Sequence, residues 1–182
     1  SFDKSYLPQI SLNTTIEPIY LHYLEQLVTT SFQGDIDKSY GARLTHAVDN
    51  SVYQFVPQAV LYPKHQQDLQ VMLQLASQPD FHEVHFTAKG GGTGTNGQAL
   101  NFGIIVDVSR YLNQVIEINP EEGWVIVQAG VVKDALNDQL RPYGFFFSPD
   151  TSTSNRATIG GMIATDASGA GSLVYGKTSD HV

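Results

Sequence analysis

The chain has 182 residues, 41 % hydrophobic and 15 % charged, enough for one globular domain or two small ones sharing an interface. Ten Lys and Arg against 18 Asp and Glu leave a formal charge of −8, which argues against a nucleic-acid surface and leaves any bound phosphate to backbone N–H groups more than to cations. There is no cysteine, so disulfides and thiolate metal sites are excluded within these residues, and the apolar runs fall far short of the ~20 residues of a membrane span. No basic-then-apolar leader opens the sequence, whose first residue, serine, points to a processed piece; the cytoplasm is the expected compartment.

The first predicted element is a helix over residues 14–32. Ile16, Ile19, Tyr20, Tyr23, Leu24, Leu27 and Val28 recur at three- and four-residue steps, Thr14 and Glu17 fit a capping box, and Gly34 can end it. It is a packing helix with no chemistry of its own. Residues 59–62, closed by Pro63, read as a buried strand. A helix over about 66–77 follows, with Leu69, Met72, Leu73 and Ala76 on one face, and then a second strand over 83–87. Strand, helix and strand at this spacing make a parallel βαβ unit.

Residues 89–97 follow that second strand and read KGGGTGTNG, five glycines in nine residues. The stretch leaves the carboxyl end of a parallel strand, where open α/β sheets place ligands. Residues 92–97 satisfy G-x-G-x-x-G, but a dinucleotide fingerprint must open a helix and be followed about twenty residues later by an acid. Here residues 98–103 lead into a strand instead, and the next acid is Asp107. No lysine follows the glycines, so a P-loop is excluded as well. What remains is an anion cradle of successive backbone N–H groups, with Thr93, Thr95 and Asn96 as side-chain donors.

Beyond the loop, residues 104–108, 115–118 and 124–128 read as strands, and residues 119–123, NPEEG, as the hairpin turn between the last two. A helix over about 132–140 comes next. Residues 148–176 then form a second glycine-rich loop in which small residues alternate with hydroxyls. Two such segments beside two hydrophobic units suggest one extended ligand lying between the units. The expected fold class is α+β: a small parallel βαβ unit followed by an antiparallel-rich sheet unit with helices.

Taken in order, these residues resemble the FAD-binding domain of the vanillyl-alcohol oxidase / p-cresol methylhydroxylase superfamily. Residues 49–53 with Pro57 and 59–63 resemble its entry segment, residues 90–93 its pyrophosphate loop, and residues 105–110 the strand after it. Residues 123–130, Pro149 and Asp150 with 159–165, and Tyr175-Gly176 with 180–182 complete the match. Within the superfamily the sequence is most similar to the FAD-linked D-2-hydroxyacid dehydrogenases, in particular the long bacterial FAD and iron–sulfur D-2-hydroxyglutarate dehydrogenases. The resemblance implies a helical extension at 1–48 and an FAD-binding domain at 49–182, split into subdomains at 49–97 and 98–182, the second truncated at its C-terminal end.

FAD is then expected between the two units. Its pyrophosphate would lie on Gly90, Gly91, Gly92, Thr93 and Gly94, with Lys89, Thr95, Asn96 and Gly97 beside them. Its isoalloxazine would lie along Pro149, Asp150, Thr151 and Ser152 and along Gly160, Gly161, Ala164, Thr165, Ala167, Ser168, Gly169 and Ser172. Many family members carry arginine where Lys89 stands, which is harmless if only the backbone N–H is used. Covalent members attach FAD through a histidine just after the glycines; Thr93 stands there, so non-covalent FAD is expected.

The catalytic base and metal-binding histidines of the family lie in a cap domain, and the iron–sulfur cluster in a C-terminal region, both outside these residues. None of the six histidines replaces them: residues 82–85, HEVH, lack H-E-x-x-H spacing, and His22 and His46 read as surface or packing residues. Asp150 and Asp166 are expected to cap or hydrogen-bond. The implied reaction is hydride transfer from a 2-hydroxyacid to FAD, with electrons leaving to a quinone or carrier protein, in the cytoplasm or peripherally at the inner membrane. The alternatives are an FAD-dependent oxidase of another alcohol or lactone, and a non-catalytic FAD-binding module.

Overall fold

The computed structural model describes residues 15–49 and 55–182, so Thr14 of the expected capping box and residues 50–53 of the entry segment lie outside the described residues. In chain order its elements are α1 (Pro18–Val28), β1 (Asp35–Asp37), α2 (Tyr40–Thr45), β2 (Ala59–Tyr62), α3 (Gln66–Ala76), β3 (Phe86–Lys89) and β4 (Ile104–Asp107). They continue with β5 (Val115–Asn119), β6 (Trp124–Val127), α4 (Lys133–Leu140), α5 (Ile159–Thr165) and α6 (Ser172–Tyr175).

The first four strands form one sheet in the order β1-β2-β4-β3, with β1 antiparallel to β2 and the rest parallel. β2 and β4 are apolar at consecutive positions because both faces of the sheet are covered. Ala59, Leu61, Ile104 and Val106 pack on one face against Tyr23, Leu24, Leu27 and Met72 of α1 and α3. Val60, Tyr62 and Ile105 face the other way, toward Ala42 and Tyr111.

β4 was expected with the antiparallel strands and instead sits between β2 and β3, so the predicted strand–helix–strand unit skips one position. The most apolar run of the region takes the central, doubly covered place. Residues 18–48 also belong to this layer: α1 lies on α3, and the Tyr23 hydroxyl donates to the Met72 carbonyl at 2.8 Å.

α1 is shorter than expected. It starts at Pro18 with Glu17 as an N-cap that makes no side-chain cap bond. It stops at Val28 because the Thr29 and Thr30 hydroxyls donate to the Gln26 and Leu27 carbonyls at 2.7 and 2.6 Å, and Val28 itself is exposed. Gly34 does not end it; a Cβ there would stand 2.6 Å from the Tyr62 carbonyl, so this glycine permits the close approach to β2. In α3 the inward residues are Met72 and Leu75, while Leu73 is exposed. β3 begins at Phe86, three residues later than read, because Val84 closes a turn by donating to the Phe81 carbonyl at 2.9 Å.

The second unit is built on the β5–β6 hairpin. Its turn forms as expected: Gly123 adopts φ 74° and donates to the Asn119 carbonyl at 2.9 Å, and the Asn119 side chain accepts from Glu122 N–H at 3.0 Å. Val115, Ile118, Val125 and Val127 line its inner face against a core of Val131, Leu136, Leu140, Ala157, Ile159 and Met162.

Candidate functional site

The glycine loop leaves the carboxyl end of β3, as the sequence predicted, and returns as β4. Gly92 and Gly97 hold φ values of 64° and 76°, left-handed conformations that favour glycine. Gly90 and Gly91 are constrained by contact rather than by torsion. A Cβ on Gly90 would collide with the Thr158 side chain, and one on Gly91 with the Arg156 carbonyl. The loop is therefore pressed backbone-first against the second unit.

That facing wall is organised around Thr158, which is 1 % exposed and caps α5 by accepting from Gly161 N–H at 3.3 Å. Ile159 and Gly160 donate to the carbonyls of Val131 and Ala129 at 2.8 and 2.9 Å, tying the start of α5 to the strand-like segment before α4. α5 itself corrects the sequence reading, which treated residues 148–176 as one loop. Two glycines in seven residues give it poor intrinsic propensity, and burial of Ile159 and Met162 overrides that.

Between loop and wall lies a cavity of about 520 Å³, within the ~300–1,000 Å³ range of small-molecule sites. Of the residues predicted to bind a ligand, Gly90, Gly91, Gly92, Thr93, Gly94 and Thr95 line one side, and Thr151, Ser152, Gly161, Ala164, Thr165, Ala167 and Ser168 the other. Among the described residues, no Lys, Arg or His lines it. Backbone, methyl groups and hydroxyls make most of the surface.

The other predicted residues do not line the cavity. The Lys89 ammonium turns beneath the loop and donates to the Val48 carbonyl at 2.9 Å. Asn96 and Gly97 lie past the rim, where Asn96 N–H donates to Gln98 Oε1 at 3.0 Å. Pro149 stands outside, and Asp150 acts as a brace whose Oδ2 accepts from Gly171 N–H at 3.0 Å, a hydrogen-bonding role as expected. Gly169 N–H donates to the Ser172 hydroxyl at 2.8 Å, closing the same loop on itself. Gly160 faces backward, where a Cβ would stand 2.8 Å from that of Ala129.

Sequence reasoning missed Ala88, Gln98, Ala99, Thr153, Ala157 and Thr158, which also line the cavity, as do Met162 of the matched 159–165 stretch and Asp166, for which a capping or hydrogen-bonding role was expected. Thr158 carries a signal in the sequence, a threonine at the head of an apolar run, where an N-cap belongs. Asp166 ends α5 at φ 47°; its carboxylate accepts from Ser179 N–H at 2.9 Å and from Lys177 Nζ at 3.1 Å. The Ser179 backbone, then its hydroxyl, then Lys177 hold that carboxyl below the usual range, so the one acid on the cavity wall is an anion occupied in bracing residues 177–179.

Behind the loop, Asp107 at the end of β4 accepts from Ser109 N–H and hydroxyl at 2.9 and 2.7 Å, and lies 2.9 Å from His46 Nε2. Burial pushes this carboxyl up, but the bonds from His46 and Ser109 outweigh it and hold it below the usual range. A depressed folded-state value means stability that is present above the unfolded pKa of ~3.9 and lost as pH falls through the folded value. Urea midpoints followed from pH 6 down to pH 3 should therefore fall more steeply for the wild type than for D107N; parallel curves would show that Asp107 contributes nothing.

A second cavity of about 560 Å³ is walled by Trp124, Ile126, Phe145, Phe146 and Ile163 of the second unit. It has no run of glycines and offers an apolar surface, so the anion-cradle chemistry belongs to the first cavity.

A family model described as an FAD binding domain matches residues 57–182. The D-2-hydroxyglutarate dehydrogenase of Escherichia coli is 58 % identical over 176 residues, which are 97 % of this chain and 17 % of that protein. The Haemophilus influenzae D-2-hydroxyglutarate dehydrogenase is 54 % identical with the same coverage, so the chain spans about one sixth of the length of such relatives. A solved structure of an alkyldihydroxyacetonephosphate synthase superposes with a TM-score of 0.77 over 88 % of this chain and 32 % of that one, at 23 % identity, a likeness of fold.

Proposed function

Because the chain belongs to the FAD-binding-domain family, we propose that its glycine-lined cavity holds FAD and that the whole enzyme oxidises a D-2-hydroxyacid, with D-2-hydroxyglutarate the best candidate. The supporting observation is the single cavity that brings residues 90–95 against residues 151–168. Their chemistry fits the cofactor: a diphosphate needs backbone N–H groups unobstructed by side chains, which the glycines of 90–94 offer along the cavity, and a ring system needs apolar surface without bulky side chains, which Ala164 and Ala167 offer. The choice of substrate follows the names of the relatives that share more than half of this sequence.

When bound, FAD supplies a two-electron acceptor for the hydride that leaves the substrate Cα as its hydroxyl loses a proton and the 2-hydroxyacid becomes a 2-oxoacid. The chain's own part is orientation. The loop backbone and the hydroxyls of Thr93 and Thr95 would hold the anionic end, while Thr151, Ser152 and the α5 wall would line the space for the ring. We assign the proton acceptor, any iron–sulfur cluster and the contact with a quinone or carrier protein to the part of the relatives' length that this chain does not span. The four-stranded sheet and the hairpin unit would be the two subdomains that hold the cofactor between them.

Anaerobic mixing of the complete natural chain with D-2-hydroxyglutarate should bleach the flavin absorbance; no bleaching with any D-2-hydroxyacid sinks the dehydrogenase assignment, and stoichiometric peroxide in air points to an oxidase. Thr93 at the position of attachment predicts that acid denaturation leaves all the flavin in the supernatant. Flavin pelleting with the protein would show a covalent bond.

A further inference from the structure

Lys89 contributes nothing to the cavity wall, yet its charge is buried directly behind it. The side chain is 7 % exposed and its ammonium donates to the Val48 carbonyl at 2.9 Å. Its Cε and Nζ lie 2.8 and 3.5 Å from the point where a Gly92 Cβ would stand, so the lysine stem runs under the left-handed turn of the loop. Gly92 is at once the roof over Lys89 and part of the cavity lining.

The ammonium has company of opposite sign. Asp107 is the cross-strand neighbour of Lys89 on β4, and Asp49 follows Val48, whose carbonyl the ammonium holds; both favour its charged form, while burial, the larger effect, disfavours it. Asp107 is itself only 13 % exposed and bonds to His46. Without Lys89, the two carboxylates would lose the positive charge they share, and Gly92, which separates the lysine stem from the cavity, would have no cation behind it. Like charges in a partly desolvated setting repel strongly.

Resting on the FAD assignment above, we infer that Lys89 is a positioning and charge-balancing residue: it neutralises Asp107 and Asp49 from behind, so that the loop meets the FAD diphosphate without a negative field at its back. This explains how a cavity with no cationic side chain on its wall in a chain of charge −8 can take a dianionic group. The cation is present one layer down, kept off the ligand and anchored to the carbonyl of residue 48. Arginine would serve the same purpose; a neutral residue of the same length would not.

The test uses the complete natural chain, stripped of flavin and titrated with FAD by fluorescence quenching. K89M, which keeps the stem and loses the charge, should weaken FAD on the order of tenfold or more, while K89R should stay within about threefold of wild type. The double variant K89M/D107N should recover most of the loss, because it removes one of the carboxylates that Lys89 balances. A merely structural lysine would not be rescued that way. Equal affinity for K89M and wild type overturns the inference, as does a double variant as weak as K89M. If K89M does not fold, D107N alone decides: FAD should bind more tightly than to wild type, and unchanged or weaker binding overturns the charge argument. Wild-type protein that takes up no FAD at all would instead sink the cofactor assignment, a result distinct from either of these.

Discussion

Gly91→Val should abolish FAD retention on desalting and lower the melting temperature. The Cβ of any larger residue at 91 would collide with the backbone carbonyl of Arg156. Backbone cannot rotate out of the way as a side chain can, so relief requires the glycine loop and the α5 wall to separate. Overpacking of this kind costs about 1–3 kcal/mol, and for a chain of this size each kcal/mol lowers the midpoint by roughly 2–4 °C. Ligand binding should suffer more than stability, because the two surfaces that part are the two walls of the cavity. Gly91→Ala already carries the offending atom and should show most of the effect.

Two comparisons separate close approach from a general intolerance of substitution. At Gly90 the obstacle is the Thr158 side chain, with its hydroxyl, Cβ and Cγ2 all within contact. Gly90→Ala should therefore weaken FAD binding and be partly rescued by Thr158→Ala, less the cost of losing the α5 cap, about 1 kcal/mol. No such rescue exists for Gly91. At Gly41, in α2, a Cβ meets nothing within 4 Å, and Gly41→Ala should leave FAD binding untouched while adding about 0.5–1 kcal/mol of stability. Normal FAD retention by Gly91→Val would refute the close-approach argument.

Asp68→Ala is expected to be the most destabilising single change outside the loop. Asp68 is fully buried at the start of α3; its oxygens accept from Gln33 N–H at 2.7 Å and from Lys64 N–H at 2.8 Å. Gln33 lies beyond the end of α1 and Lys64 just after β2, so one carboxylate joins the two connections that hold α1, β1 and β2 together. Hydrogen bonds to a charged group contribute about 1.5–3 kcal/mol each, so the loss of both should cost about 3 kcal/mol or more in urea denaturation. Asn at 68 keeps one acceptor but turns an amide N–H toward the other donor, and should fall between. A midpoint for Asp68→Ala within experimental error of wild type would remove Asp68 as a brace.

Much of the fold was legible because its signals are local. The buried run of residues 59–62, the period of α3 and the Asn-Pro…Gly turn at 119–123 each declare themselves within a few residues, and the structure places an element at each. Boundaries were less legible, since they depend on caps: α1 ends where two threonine hydroxyls satisfy its last carbonyls. The insertion of β4 between β2 and β3 was not legible at all. Strand order is decided by which run most needs cover on both faces, and that is a comparison among strands far apart in the chain.

The candidate site divides in the same way. By itself the sequence determined that residues 89–97 form a glycine-dense loop leaving the carboxyl end of a strand, that no helix follows to make a Rossmann site, and that no histidine stands at 93. Composition and order suffice for these, because glycine density and the type of the next element are properties of one segment. Only the tertiary structure decided which residues of the two loops face the cavity. Gly161, Ala164 and Ala167 face it, while Asp150, Gly160 and Ser172 brace its walls. It also decided that Lys89 lies behind the loop. A residue's spacing in the chain does not record which side of the backbone meets a wall some sixty residues away; that is settled only when the two hydrophobic units close and Gly91 comes to rest on the carbonyl of Arg156.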